Sequence, residues 1–476
     1  QYNLKGKDYN EEVVWNSPEG IKVKPFYHAE DLEHITILQT QNSLWKIGQS
    51  IYAGNAIMAN EKALRYLEKG AEALQFIVPS ENVDAVIILN NIDLSRVKVC
   101  FELQFLSKTY IKQILDKVSN ANKIHWQIDP IGHLARSGNW YENMSSDMSL
   151  IGDLFTLDTE TILSVDVSLY ENAGADIVQQ LAYAMSHANE YLNVLQQGEN
   201  LEQLISIDFR VSVAGNYFFE IAKLKALRNL WSVLSKAYGI TIPCSIVSQP
   251  SKRNKTIYDF NVNMLRTTTE CMSAVLGGSD VVFNLNYNAV YKKDNDFANR
   301  IALNQLILLK EESYFDKVEN ATEGSYYIET ITHQLAEKAL LLFKAIEKDG
   351  GFLKQLKNHT IQNKIADSAR KQQEKFDAKK VVLVGSNVFQ NEADKMGEAL
   401  ELYPFVKKNP RKTLITPIIE KRLAEELEQN RLAMYDAGLW GVPSFRLLDH
   451  KGEQVLAVWG QDRLWLVAQK IQNLLT

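Results

Sequence analysis

Between about residue 55 and residue 330 short apolar runs alternate with longer stretches whose apolar residues recur every third or fourth position. Leu74 to Val78 (LQFIV), Val97 to Leu103 (VKVCFEL), Ile124 to Ile128 (IHWQI), Leu163 to Val167 (LSVDV), Ile205 to Phe209 (ISIDF), Ile242 to Val247 (IPCSIV) and Val281 to Asn284 (VVFN) read as strands. A last strand is expected near Ser325 to Ile328 (SYYI). Each is short and bounded by polar or turn-forming residues, as parallel strands buried on both faces are. Ala175 to Leu192 and Tyr217 to Leu234 carry the i, i+3, i+4 spacing of amphipathic helices. Strand and helix alternate about eight times, which predicts an α/β fold closed as a (β/α)8 TIM barrel. No glycine-rich phosphate turn follows the first strand, which argues against an open doubly wound sheet.

The flanks differ from this middle. The first 35 residues are punctuated by Pro18, Gly20 and Pro25 and read as an extended arm, lying on its own domain or on a partner subunit. After Gly351 the chain turns polar and charged, with one further strand expected at Val381 to Asn387. Thr416 to Ala437 reads as a helix with Pro417 in its first turn. Ser444 to Trp459 alternates around DHKGE as a hairpin, and Asp462 to Leu475 closes as a helix. The expected division is an arm over 1–40, a barrel over 41–350, a helical linker and reduced region over 351–437, and a small α/β appendage over 438–476.

Composition narrows the partners. With 46% hydrophobic and 23% charged residues this is an ordinary globular chain, and a net charge of -6 supplies no field for nucleic acid. No run reaches the roughly 18–20 apolar residues of a membrane span, and QYNLKGKDYN lacks the apolar stretch of a signal peptide, so a cytoplasmic location is expected. Cys100, Cys244 and Cys271 lie too far apart for a CxxC pair, and the apolar settings of Cys100 and Cys244 predict inert thiols.

Little chemistry is written in motifs: GxSxG, HExxH, Walker A and paired CxxC patterns are all missing. His125 and His133 flank the third strand, where barrel active-site loops begin, yet a lone loop histidine is more often structural. Asp129, Asp166 and Asp208 stand at strand positions suited to general bases, although charges inside a barrel usually satisfy one another.

The arm SPEGIKVKPFYHAEDL, from Ser17, resembles the N-terminal signature TPEGI-x-VKPLYTAEDL of methylmalonyl-CoA mutases. Further blocks resemble the same family: LYENAGADIVQQLAYAMSHANEYL from Leu169, GNYFFEIAKLKALRNLW from Gly215, LRTTTECMSAVLGGSD from Leu265, NRIALNQLILLKEES from Asn299 and EGSYYIETITHQLAEKA from Glu323. The resemblance implies a substrate barrel that in catalytic members encloses an acyl-CoA while adenosylcobalamin supplies a radical. It also implies departures. The catalytic Trp-x-Ile-Arg-Gln-Tyr-Ala-Gly segment is similar to Trp45 through Ser50, so its arginine falls on Gly48 and its tyrosine on Ser50. The family's His-x-Gln falls on Val247-Ser248-Gln249, the histidine after its Gly-Gly motif on Phe283, and the arginine before its Leu-Ser-Phe-Phe run on Ser206. Losing these groups removes the charge-assisted bonds that would hold a carboxylated thioester.

No DxHxxG turn offers cobalt a histidine, and the chain resembles the shortened small-subunit form. The resemblance thus implies a non-catalytic small subunit paired with a catalytic large subunit that holds adenosylcobalamin, with no cofactor or metal on this chain. The alternative is an active acyl-CoA mutase subunit that uses cobalamin bound on a separate chain. An arginine-bearing pocket at the barrel mouth would favour that alternative, and apolar infill by Val247 and Phe283 would oppose it. Gly438 to Leu475 resembles the end of DsbA-like folds, especially 2-hydroxychromene-2-carboxylate isomerases, with Val442-Pro443 at the cis-proline site. A disulfide- or glutathione-linked activity there would need a complete thioredoxin fold.

Overall fold

The computed structural model describes residues 7–33, 35, 44–391, 401 and 413–418, and the backbone of 444–448 and 454–459. Eight parallel strands close a barrel: β1 (Lys46–Tyr52), β2 (Ala73–Val78), β3 (Lys98–Leu103), β4 (His125–Ile128), β5 (Thr161–Asp166), β6 (Ile207–Val213), β7 (Cys244–Pro250) and β8 (Val281–Phe283), with β8 returning to β1. Around it run α1 (Ala56–Glu68), α2 (Lys108–Lys117), α3 (Pro130–Ser137), α4 (Met144–Leu154), α5 (Ile177–Gln197), α6 (Tyr217–Ala237), α7 (Val262–Leu276) and α8 (Asp296–Ile307). The expected (β/α)8 class is therefore observed.

Alternation along the strands sorts side chains into two cores. Phe76, Phe101 and Trp126 share one cross-strand row, with centroids 5.5 and 5.3 Å apart, and belong to the main core between strands and helices. Phe209 meets Trp231 of α6 at 5.3 Å on the same outer side. Ala73, Val247, Val281 and Phe283 form a second, separate cluster within the lumen.

Three strand expectations need correction. Tyr326 opens α9 (Tyr326–Lys348) rather than a strand, because Ile328, Ile331, Thr332, Leu335 and Ala339 recur at helical spacing and are all buried. Val381 to Asn387 is no strand. It holds a single bridge, Val384 to Val388, around Gly385 at φ +79°, and its valines are exposed. The eighth strand is instead β1, whose Gly48, Gln49 and Ser50 interrupt the apolar run that marks the others. β6 and β7 also run past their expected ends, because their second halves carry lumen-facing polar residues that ended the apolar pattern.

The described part of the arm packs on its own barrel. Ile21 is buried, Trp15 meets Phe219 of α6 edge-on at 5.6 Å, and Tyr27 lies 5.1 Å from Tyr327 of α9. Beyond α9 come α10 (Phe352–Lys357) and α11 (Thr360–Asp377). Thr416 to Ile418, expected to open a helix, are irregular, and the remainder of that helix lies outside the described residues. The chain divides into two compact units, Gln1–Leu402 with Arg411–Ile419, and Tyr403–Pro410 with Glu420–Thr476. In the second, Ser444–Leu448 and Gln454–Trp459 pair antiparallel, as the hairpin pattern predicts. Val442-Pro443 and the expected helix from Asp462 lie outside the described residues.

Candidate functional site

The lumen is built in layers. At its amino-terminal end Lys98 of β3 reaches Ser245 of β7 at 3.3 Å, and His125 of β4 faces Asp208 of β6 at 3.0 Å. Burial alone would raise the Asp208 carboxyl, but His125 and Lys98 hold it well below the usual carboxylate range. Ser206 sits at this same end, hydrogen-bonded to Thr161.

Above this floor the lumen is filled. Gln75 donates to Gln127 at 2.7 Å. The ring of Phe283, only 3% exposed, lies directly over Gly48: a Cβ there would stand 2.6 Å from its Cδ1 and 2.7 Å from its Cε1. Val281 pairs in register with Val247, and with Ala73 and Phe283 these two valines make up the apolar plug. Gly48, Val247 and Phe283, singled out separately in the sequence, thus converge at one level. Ser50, two residues beyond Gly48, is exposed toward the mouth, whereas Ser206 stands at the opposite end.

The carboxy-terminal mouth holds two arginines and two carboxylates. Arg210 of β6 donates to Glu102 of β3 at 2.8 Å and lies 3.9 Å from Asp166 of β5. Arg136, in the last turn of α3, bonds Asp166 and lies 3.8 Å from Glu102. Asp166 would be raised by burial, yet Arg210 and Arg136 hold it far below its ordinary value. Arg210 would be lowered by burial, yet Glu102 and Asp166 hold it above its ordinary value. The four charges satisfy one another, which leaves neither guanidinium without a carboxylate. Glu102, Arg136 and Arg210 were not singled out in the sequence. The available signal was a charge inside an otherwise apolar strand, in FEL and in DFRV, which can only face a lumen.

The remaining candidates have structural duties. His133 stacks on Tyr141 at 3.9 Å and is pushed down to about 4 by burial and by Arg136, so it is neutral at pH 7. Asp129 points away from the lumen, capping α3 through the Gly132 amide and accepting from Tyr191 at 2.6 Å. His187 lies 2.8 Å from Asp129 and 2.8 Å from the Tyr170 hydroxyl. All three cysteines are free and buried, and burial pushes Cys100 and Cys244 up to about 12.

A cobalt ligand needs a histidine with its distal nitrogen free and room beside it. His187 is wholly buried with both nitrogens engaged, and His125 is confined to the barrel floor against Asp208. Among the described residues no group of three His, Cys, Asp or Glu is placed to hold a metal ion. Among the described residues, His187 therefore offers cobalt no free nitrogen. Nor, among them, is any helix long and apolar enough to cross a membrane.

The profile of the family described as methylmalonyl-CoA mutase matches residues 80–434. A methylmalonyl-CoA mutase small subunit of Porphyromonas gingivalis is 33% identical over 473 residues, covering 92% of this chain and 76% of the relative. A small subunit of Streptomyces virginiae is 28% identical, covering 72% of this chain and 58% of the relative. A large subunit of Porphyromonas gingivalis also matches, at 26% identity, covering 79% of this chain and 61% of the relative. The chain thus spans about three fifths to three quarters of these relatives, and the matched range ends before the tail hairpin, leaving the thioredoxin-like resemblance without support. By its profile match, its barrel and its sequence identity, the chain belongs to the methylmalonyl-CoA mutase family.

Proposed function

We propose that this chain is a non-catalytic small subunit of a heterodimeric methylmalonyl-CoA mutase. In this reading it supports a large subunit that holds adenosylcobalamin and interconverts methylmalonyl-CoA and succinyl-CoA. The observation that carries the proposal is the plug: the Phe283 ring rests where any side chain on Gly48 would stand, and Val247 and Val281 close the lumen beside it. An acyl-CoA threaded along the axis would need that ring to leave a packed site. The mouth adds to this, since Glu102 and Asp166 already neutralise the two arginines that would otherwise meet an anionic acyl group.

A second reading, an active subunit served by cobalamin on a separate chain, draws on Arg136, whose side chain is 45% exposed at the mouth. Turnover of methylmalonyl-CoA with adenosylcobalamin separates the two when measured for this chain alone, for a large subunit alone and for the mixture. The small-subunit reading expects turnover only where the large subunit is present, and the same turnover when this chain carries Arg136→Met. A mixture that loses its activity with Arg136→Met, while the two chains still associate, would establish the second reading instead.

A further inference from the structure

We propose that residues 413–418 form a strap whose grip on the last turn of α3 fixes Arg136 at the barrel mouth, so that loosening the strap loosens the mouth. The proposal does not depend on whether this chain turns over substrate.

An α-helix ends with carbonyls that have no partner inside the helix. In α3 that end is closed from outside the barrel's own sequence. The Ile418 amide donates to the Ala135 carbonyl at 2.6 Å, and the Leu414 and Ile415 amides both donate to the Gly138 carbonyl, at 2.9 and 3.1 Å. Leu414 also reaches the Asn139 Oδ1 at 3.3 Å. Ile415 and Ile418 are 5% and 3% exposed, so their side chains are held as firmly as their amides. The approach is close: Gly138 has φ +79°, and a Cβ on it would stand 2.5 Å from the Ile415 carbonyl oxygen. The strap is itself held, because Gln362 of α11 donates to the Thr416 carbonyl at 2.9 Å.

α3 has eight residues, too few for a stable helix without tertiary support, which isolated segments need below about 12–15 residues. Its amino-terminal end is pinned by Asp129, and its carboxy-terminal end by the strap. Arg136 follows directly on Ala135, the residue whose carbonyl the strap holds, and its guanidinium bonds Asp166. Fraying that turn moves the guanidinium away from the strand. The strap is also the stretch of the barrel unit that separates the two pieces of the second unit, Tyr403–Pro410 and Glu420–Thr476.

The test is amide hydrogen exchange on the full chain. Ile418→Ala, which removes the buried side chain and keeps the amide, should speed exchange over 133–138 by about ten-fold or more and leave β5 and β6 unchanged. Coupling is reciprocal, so Arg136→Met should in turn speed exchange at Leu414, Ile415 and Ile418. Gly138→Ala should do both, and if that variant fails to fold the other two still decide the matter. Faster exchange confined to the strap in Ile418→Ala, or an Arg136→Met chain with unaltered strap amides, would overturn the proposal. A uniform acceleration across the barrel would do so too, since it reports lost stability rather than a local link.

Discussion

Gly48 and Phe283 should behave as one energetic unit, and the size of their coupling follows from the contact. Gly48→Ala places a methyl 2.6 Å from the Phe283 ring, far inside van der Waals distance, and the ring is walled in by Val247 and Val281. Overpacking of this kind costs about 1–3 kcal/mol. Alanine recovers about 0.4–1 kcal/mol by restricting the unfolded chain, which leaves a net loss of up to about 2.5 kcal/mol. Phe283→Ala empties the same space and should cost about 3–5 kcal/mol. In the double variant the methyl at 48 meets no ring, so adding Gly48→Ala to Phe283→Ala should be neutral or stabilising by a few tenths of a kcal/mol. The coupling energy is then about 1–3 kcal/mol. Urea unfolding of the four proteins, followed by circular dichroism and with the slopes compared, reads it directly. If the two losses add within about 0.5 kcal/mol, the ring does not rest on Gly48 and the plug is not the barrier described above.

Asp166→Asn should cost about 3–5 kcal/mol at pH 7, because it strips a buried carboxylate from two arginines. As the native carboxyl is held low, its contribution is present above about pH 4 and is lost as the pH falls, so the variant should show a shallower acid limb in melting temperature. Glu270 is pushed the other way, up to about 7, by burial that outweighs its contact with Lys255. Its contribution is present below about pH 4 and is lost as the pH rises through about 7, so replacing the pair with Glu270→Gln and Lys255→Met should flatten the melting temperature between pH 5 and 8. An unchanged slope would mean that the pair is not what titrates. The three cysteines should ignore a thiol reagent in the native chain and all react in denaturant, and a fast-reacting native thiol would contradict the burial of Cys100, Cys244 and Cys271.

The barrel was legible because its strands are buried on both sides, so that seven of the eight announce themselves as apolar runs. β1 escaped because its lumen positions are glycine and serine, and SYYI imitated a strand because its local composition conceals a helical repeat reaching to Ala339. At the site, positions read one by one from a family pattern proved to be neighbours, since Gly48, Val247 and Phe283 belong to three adjoining strands. Of the mouth, only Asp166 was legible, as a strand carboxylate expected to be satisfied by another charge. Glu102, Asp166, Arg136 and Arg210 come from different strands and one helix, and nothing local predicts which charges across a lumen will meet. The strap was hidden for a related reason: its partner, Gly138, lies far away in the sequence and contributes only backbone.

The barrel also has a seam. β6 and β7 are zipped by seven residue pairs and β2 and β3 by six, whereas β8, which closes the ring, is joined to β1 by three and to β7 by two, nearly as few as β4 has with its own neighbours. Phe283, the residue that blocks this lumen, is also the last residue of the β8–β1 ladder, and its ring leans across that ladder onto Gly48 of β1. Moving that ring therefore disturbs the β8–β1 closure as well as the lumen. A chain built this way cannot regain an open bore by trimming a single side chain without weakening the closure of its own circle.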